Sequence, residues 1–145
     1  MNRLYLFARI AGTLVAIRTS EIEAVVRLDA LSPVPGVPAH VAGLATLRSR
    51  VLTVLDAAML IDAGDGRRAE SNYAIVCDIS GHSYGFLVDE VIDISEVDLD
   101  PLPLQGRTDP AWQRYAEGVI LKDGKPYLLI PLTNFVDGGA LTQAA

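Results

Sequence analysis

Short apolar runs separated by turn-forming residues recur along the whole chain, and they limit its possible folds more than any other feature. Each run has five to eight residues, and most are rich in Val, Ile, Leu or Tyr: LYLFARI, LVAIR, EAVVRL, RVLTVLD, YAIVCDI, SYGFLVD, EVIDISEV, EGVILK and PYLLIPL. Runs of this length, bounded by Gly, Pro, Asp or Ser, are typical of β-strands. We therefore predict a mainly β chain.

Helical periodicity is scarce, so the predicted helices are few and short. The first is a turn with Ser20 as its N-cap, because Glu21 and Glu23 suit a first helical turn. The second follows Asp56, and the third covers residues 109–115. Hairpin turns are predicted at Ala11-Gly12, around Ser80-Gly81 and at Asp123-Gly124.

The two halves of the chain repeat one order of features. Nine positions separate a turn glycine from an acidic residue in each half, and twelve separate a later glycine from an apolar residue. The matched residues are Tyr5, Gly12, Glu21-Ile22, Gly43 and Leu55 with Tyr73, Gly81, Glu90-Val91, Gly118 and Ile130. Such a match indicates a duplicated β-module. The alternative is an ordinary one-sheet β domain whose halves are similar by chance.

A duplicated module predicts one domain over residues 1–145 with two lobes. Each lobe is expected to be a small barrel-like (SH3-like) unit of about five strands, because closure removes exposed sheet edges. We place lobe 1 at about residues 13–70 and lobe 2 at about 71–136, and allow that the N-terminal strand crosses over. The segments 31–38, 62–71 and 98–110 are rich in Pro or polar residues and read as loops.

Charge and hydropathy exclude several classes of partner. The net charge is −6 and the sequence pI about 4.7, with no basic cluster for nucleic acid or anionic membrane. The most apolar window, VLTVLDAAMLI, has 11 residues and contains Asp56, whereas a membrane helix needs about 20. The single Cys77 cannot form an internal disulfide. We expect a cytoplasmic protein without direct membrane insertion.

The residues that usually perform catalysis or bind metals are sparse or badly spaced. His40 and His82 have no other ligand at metal-binding spacing, and neither Gly-x-Ser-x-Gly nor a phosphate-binding loop is present. The acidic residues between Asp89 and Asp100 lack the EF-hand order and alternate with apolar residues, as on a solvent-facing strand. We predict no catalytic residue, no metal site, no cofactor and no enzymatic activity.

The order of motifs resembles the CheW-like family of bacterial adaptor proteins. The most specific stretches are PVPGVPAHVAGLATLR and GFLVDEV, supported by the opening ARIAG and the closing EGVILKDGKPYLLIPL. The family commonly has Asn-Leu-Arg-Gly where this chain has Thr46-Leu47-Arg48-Ser49. It often has Asp after the last strand, where this chain has Pro131.

This resemblance implies two five-stranded barrel-like lobes around a shared hydrophobic interface. It also implies an adaptor that couples chemoreceptors to a CheA-type histidine kinase. One lobe would dock on the kinase's regulatory domain, and a groove between the lobes would receive the cytoplasmic tip of a methyl-accepting chemoreceptor. The protein would lie in the cytoplasm with membrane receptor arrays. Two alternatives stay open: an adaptor for a pilus or developmental pathway, and a β-barrel module that binds a small molecule.

The resemblance also implies candidate partner-binding residues. Arg48, with its neighbour Leu47, matches the family motif, and we favour a partner contact for Arg48 over a charge that protects a strand edge. For Arg50 we favour the edge charge. Three weaker candidates near the groove match the family pattern: Ile22, Gly85 and Ile94. For Ile22 and Ile94, core packing and interface roles are equally compatible with the sequence.

Overall fold

Ten strands form two five-stranded sheets in the computed structural model, which describes residues 3–61, 68–104 and 109–137. In the first half the strands are β1 (Leu4–Ile10), β2 (Thr13–Arg18), β3 (Ala24–Arg27), β4 (Val41–Leu47) and β5 (Arg50–Asp56). In the second half they are β6 (Tyr73–Ile79), β7 (His82–Leu87), β8 (Glu90–Glu96), β9 (Gly118–Lys122) and β10 (Lys125–Leu129). The predicted mainly β fold is confirmed.

The helices are short; three of them connect strands, and the last follows β10. They are a 3₁₀ turn (Thr19–Glu21), α1 (Ala57–Ile61), α2 (Pro110–Gln113) and α3 (Thr133–Asp137). The prediction that Ser20 is an N-cap is wrong, because Ser20 lies inside the 3₁₀ turn and Arg18 occupies the position before that turn. Asp109 caps α2 by accepting a hydrogen bond from Ala111 N at 2.9 Å. Helix α3 was not predicted from the sequence.

The two sheets have the same internal order. The first sheet runs β8-β1-β2-β10-β9 and the second runs β3-β6-β7-β5-β4. Neighbouring strands are antiparallel except β2 with β10 and β5 with β7, which are parallel. Each sheet therefore contains two hairpins, which meet along one parallel pair of strands, and one further strand at its edge. Two copies of one module would give two sheets of this same form.

Each sheet nevertheless takes strands from both halves of the chain, which corrects the predicted lobe boundaries. The first sheet joins β1 and β2 to β8, β9 and β10, and the second joins β3, β4 and β5 to β6 and β7. A division near residue 70 therefore does not separate the sheets. The whole β1–β2 hairpin crosses over, because its parallel partner β10 comes from the other end of the chain.

The segment that follows each outer strand brings the ends of its sheet together. Ser32, after β3, exchanges backbone hydrogen bonds of 2.8 and 2.9 Å with Leu44 in β4. Leu102, after β8, exchanges two of 2.8 Å with Val119 in β9. These bridges give the barrel-like form that the sequence predicts. We name them the first barrel and the second barrel after their sheets.

The core has three parts because strands such as β1 bury both faces. Leu6, Ala8 and Ile10 face a cluster shared by the two barrels, whereas Tyr5 and Phe7 face the interior of the first barrel. The interior of the second barrel is formed by Leu28, Ala45, Leu52, Val54, Ala74, Val76 and Leu87. The shared cluster also holds Trp112, Tyr115 and Phe135 from the C-terminal helices and the turn after α2. This cluster is the shared hydrophobic interface that the family resemblance implies.

One pair in the sequence match of the two halves was wrong by a residue. Tyr5 is buried inside the first barrel, but Tyr73 is 43% exposed at the start of β6. Counting back from the turn glycines Gly12 and Gly81 aligns Tyr73 with Leu4. A one-residue shift exchanges the two faces of a strand, which explains the different burial of the two tyrosines.

Candidate partner-binding surfaces

The turn between β4 and β5 has an unusual backbone. Arg48 and Ser49 have φ values of 49° and 69°, both in the left-handed region. The chain's other two-residue hairpin turns have glycine at the second position: Gly12, Gly81 and Gly124. A side chain there costs about 1–2 kcal/mol per residue. The Arg48-Ser49 turn is therefore strained, as backbone at functional sites often is.

Two arginines in this hairpin have different surroundings. Arg48 is exposed, and no ion pair or hydrogen bond joins its side chain to the residues that the structure describes. The Arg50 guanidinium lies 2.6 Å from a carboxylate oxygen of Glu23 and 3.5 Å from one of Asp78. The hydrogen bond to Glu23 raises the pKa of Arg50. Arg50 thus holds the end of the second barrel together, and Arg48 points its charge to solvent.

Apolar surface adjoins Arg48 in the hairpin. The Val51 side chain is 62% exposed and lies opposite exposed Thr46 on the outer face of the second barrel. Leu47 is half-buried and packs against the interior of that barrel. A shallow cleft beside the hairpin is lined by Ala30, Ser32, Leu44, Ala45, Thr46 and Val51. We name Thr46, Arg48, Ser49 and Val51 the hairpin surface.

A second apolar surface lies on β8, at the edge of the first sheet. Ile92 and Ile94 are 38% and 51% exposed, and Glu90 and Glu96 flank them at the ends of the strand. Ile94 pairs with Leu6, which belongs to the shared cluster, so Ile94 borders the seam between the barrels. We name Ile92 and Ile94 the β8 strip.

An ion pair protects the edge of β8 beside this strip. The Asp93 carboxylate accepts hydrogen bonds from Lys122 Nζ at 2.5 Å and from the Ile94 backbone N–H at 2.8 Å. Lys122 also lies 4.5 Å from the centre of the Phe7 ring. These hydrogen bonds lower the pKa of Asp93 and raise that of Lys122. A charge on an edge strand discourages pairing with other chains.

Ile22 and Gly85, the remaining candidates, lie in different surroundings. Ile22 is half-buried and packs against the shared cluster, and its neighbour Glu21 accepts a hydrogen bond from Leu132 N at 2.8 Å. Gly85 is buried in the second barrel, where an added Cβ would meet Ala74, Leu28 and Leu52. Gly85 is therefore an interior position and offers no surface to a partner.

A family model described as the CheW-like domain matches residues 4–138, which include both barrels and both surfaces. The chain belongs to the CheW-like family. Thr46, Ser49 and Pro131 all lie within the matched residues.

Two similar proteins accompany the match to the CheW-like family. The "Chemotaxis protein CheW" of Rhizobium meliloti (strain 1021) is 29% identical over 102 residues, which cover 70% of this chain and 66% of that protein, a little under two thirds of its length. The crystal structure of the scaffolding protein TtCheW from Thermoanaerobacter tengcongensis superposes with a TM-score of 0.77 at 22% identity, covering 90% of this chain and 89% of that one. The latter likeness confirms the fold.

The buried titratable groups of this CheW-like chain have structural roles. The Asp56 carboxylate accepts hydrogen bonds from Met59 N and Ala69 N, each at 3.1 Å, and Asp89 accepts them from Gly12 N and Glu70 N. Burial raises the pKa of the Cys77 thiol to about 12. Within residues 3–61, 68–104 and 109–137, no group of three or more His, Cys, Asp or Glu side chains could hold a metal ion. In the parts of the chain that the structure describes, the helices have at most five residues, too few to span a lipid bilayer.

Two exposed apolar residues, Val51 and Ile92, were not predicted from the sequence as surface positions. Val51 belongs to a run of apolar residues that reads as buried strand, and only its position opposite Thr46 shows that it faces outward. Ile92 lies at an irregularity in the pairing of β8 with β1, where Ala8 pairs with Val91 and Phe7 with Asp93. A bulge of this kind leaves one residue unpaired and cannot be read from alternation.

Proposed function

We propose that this chain is a non-catalytic adaptor that couples chemoreceptors to a CheA-type histidine kinase in bacterial chemotaxis. The observation that carries the proposal is the match to the CheW-like domain over residues 4–138. Two exposed surfaces of different chemistry, on different barrels, support it. The adaptor would act in the cytoplasm beneath membrane receptor arrays.

The hairpin surface suits an acidic partner. The Arg48 guanidinium has no competing carboxylate among the described residues, so it can form a two-pronged hydrogen bond with a partner's carboxylate. Val51 adds exposed apolar area beside the charge. Because the turn already has its left-handed conformation, binding would order little additional backbone. We assign this surface to the kinase regulatory domain.

The β8 strip suits the helical tip of a receptor. Ile94 and Ile22 both border the shared cluster, Ile94 through its partner Leu6 and Ile22 by direct packing. An amphipathic helix laid along the β8 strip would place its apolar side chains against Ile92 and Ile94, and exposed Glu96 would face one of its basic residues. Binding the two partners on separate barrels would couple them without any chemical step.

Substitution of Arg48 tests the kinase contact. We expect Arg48→Ala to weaken binding of the regulatory domain of a CheA-type kinase by about 1–3 kcal/mol, or roughly 5–150-fold in Kd. Isothermal titration with the purified domain measures this, with circular dichroism to verify folding. Arg27→Ala is the matched control, since Arg27 is an exposed arginine on the same barrel and should bind as the wild type does. Unchanged affinity of Arg48→Ala would remove Arg48 from the contact.

Ile94→Asp separately tests the receptor contact. This variant should lose binding to a soluble receptor-tip fragment and keep its affinity for the kinase domain. Because Ile94 is half exposed, the variant should fold. Loss of both partners together, or of neither, would contradict the assignment of two surfaces to two partners.

A further inference from the structure

Thr46 leaves the outer edge of β4 open. Two residues earlier, Leu44 exchanges backbone hydrogen bonds of 2.8 and 2.9 Å with Ser32, on the side of β4 away from β5. Because alternate residues of an antiparallel strand direct their N–H and C=O groups to the same side, those of Thr46 also face away from β5. In the parts of the chain that the structure describes, no backbone group pairs with Thr46 on that side.

The segment between β3 and Ser32 turns away from Thr46 and leaves a gap. Asn72, just before β6, donates from its side chain to the Asp29 carboxylate at 3.1 Å and holds this segment on the side of β6. The gap is the cleft beside the hairpin surface, with a volume of about 420 Å³, and its lining includes Ala30 and Thr46. The open N–H and C=O of Thr46 therefore adjoin a space that a further strand can enter.

We propose that an extended segment of the kinase regulatory domain adds to the edge of β4 as a further antiparallel strand. The inference rests on the proposed function, in which that domain docks on the hairpin surface. One residue of the segment exchanges two backbone hydrogen bonds with Thr46, as in strand addition at other exposed sheet edges. Its side chain is apolar, because it lies on the outer face beside Val51, which is 62% exposed.

The charges of the hairpin define a second position of the segment. Arg48 has no ion-pair partner among the described residues, whereas the charge of Arg50 is balanced by Glu23 and Asp78. Arg48 follows Thr46 by two residues, so an antiparallel segment brings the residue two positions before its apolar one to Arg48. Charge complementarity makes that residue acidic. The segment therefore has the order acidic, any residue, apolar.

Thr46→Pro tests the added strand, because proline removes the open N–H and its ring occupies the place of the incoming backbone. Proline is tolerated on edge strands, and the Thr46 N–H donates to no other described residue. We expect Thr46→Pro to weaken binding of the purified regulatory domain at least about tenfold in isothermal titration. Thr46→Val is the matched control, since it keeps the N–H and should bind as the wild type does. Circular dichroism verifies that both variants fold.

Hydrogen exchange provides a second measurement, which uses the wild-type protein and does not depend on the folding of Thr46→Pro. The Thr46 amide should exchange at least about tenfold more slowly in the complex with the regulatory domain. Wild-type affinity of Thr46→Pro, or an unprotected Thr46 amide in the complex, would overturn strand addition even where Arg48→Ala weakens binding. Failure of the regulatory domain to bind the wild-type protein would overturn the proposed function, and this inference with it.

Discussion

Ser49 occupies a backbone position that the other two-residue hairpins of this chain give to glycine. Its φ of 69° matches those of Gly12, Gly81 and Gly124, which lie between 78° and 83°. Glycine adopts this region without the steric cost of a Cβ, although it loses more entropy on folding. The strain at Ser49 therefore comes from its own Cβ, and replacement of this one residue can relieve it.

We predict that Ser49→Gly stabilises the protein by about 0.5–1 kcal/mol, because relief of the Cβ strain exceeds the added entropy loss. Urea unfolding at neutral pH measures the change. Ser20→Gly is the control, since Ser20 is exposed and its φ is not positive, and it should lower stability slightly. A loss of stability in Ser49→Gly would show that the serine side chain makes a favourable contact.

Gly43 and Gly118 lie against the backbone bridges that close the two barrels. An added Cβ on Gly43 would lie 2.7 Å from Ser32 O, and one on Gly118 would lie 2.8 Å from Leu102 O. Those oxygens belong to the backbone bridges that close the second and first barrels. The two glycines therefore recur in both halves of the chain because barrel closure leaves no room for a side chain.

At the scale of an element, we predict that Gly118→Ala destabilises the protein by about 1–3 kcal/mol, because Leu102 must move and the bridge to β9 weakens. Chemical denaturation measures the loss. Gly85→Ala is the matched control, since it is also a buried strand glycine and its added Cβ would lie at least 3.6 Å from its neighbours. Similar effects of the two substitutions would contradict a specific role for the bridge.

The ion pair between Asp93 and Lys122 at the β8 edge should make the stability of the protein depend on pH. The hydrogen bonds from Lys122 and the Ile94 N–H lower the pKa of Asp93. The Asp93 carboxylate therefore contributes its full stabilisation above pH 3.8, the ordinary pKa of this group, and that stabilisation is lost as the pH falls through the lowered pKa. The pKa of Lys122 is raised, so its contribution is full below 10.5 and is lost as pH rises through the raised pKa.

We therefore expect Asp93→Asn to be less stable than the wild type between these limits and equally stable at strongly acidic pH. Thermal melts across pH test this. Glu96→Gln removes the same charge from the same strand, and its side chain is not paired with a residue that the structure describes, so it should show no such dependence. A constant difference between Asp93→Asn and wild type at all pH values would contradict the ion-pair account.

At the scale of the whole molecule, the interlocking of the two halves of the chain predicts that the two barrels unfold together. Trp112, the one tryptophan of the chain, lies in the shared cluster at 2% exposure and reports on it directly. Its fluorescence and the far-UV circular dichroism should change at the same urea concentration, in one transition. Two separated transitions would show that one barrel survives without the other.

The local features of the fold could be predicted because they depend on neighbours in the chain. The hairpins at Ala11-Gly12 and Asp123-Gly124 and the helix after Asp56 formed where the turn residues and apolar runs placed them. Helix α3 was missed because its five residues are held by burial of Phe135 against Phe86 and Tyr115.

The sequence by itself determined nine of the ten strands, most of the hairpins and the duplication, since alternation and turn chemistry act over a few residues; the run of β4 was not among the predicted strands. Only the tertiary structure decided which hairpin completes which barrel, because the parallel pairings of β2 with β10 and β5 with β7 join segments far apart in the chain. It also decided that Gly85 faces an interior while Val51, Ile92 and Ile94 face solvent. A side chain's exposure depends on what packs over its strand, and that covering comes from distant residues.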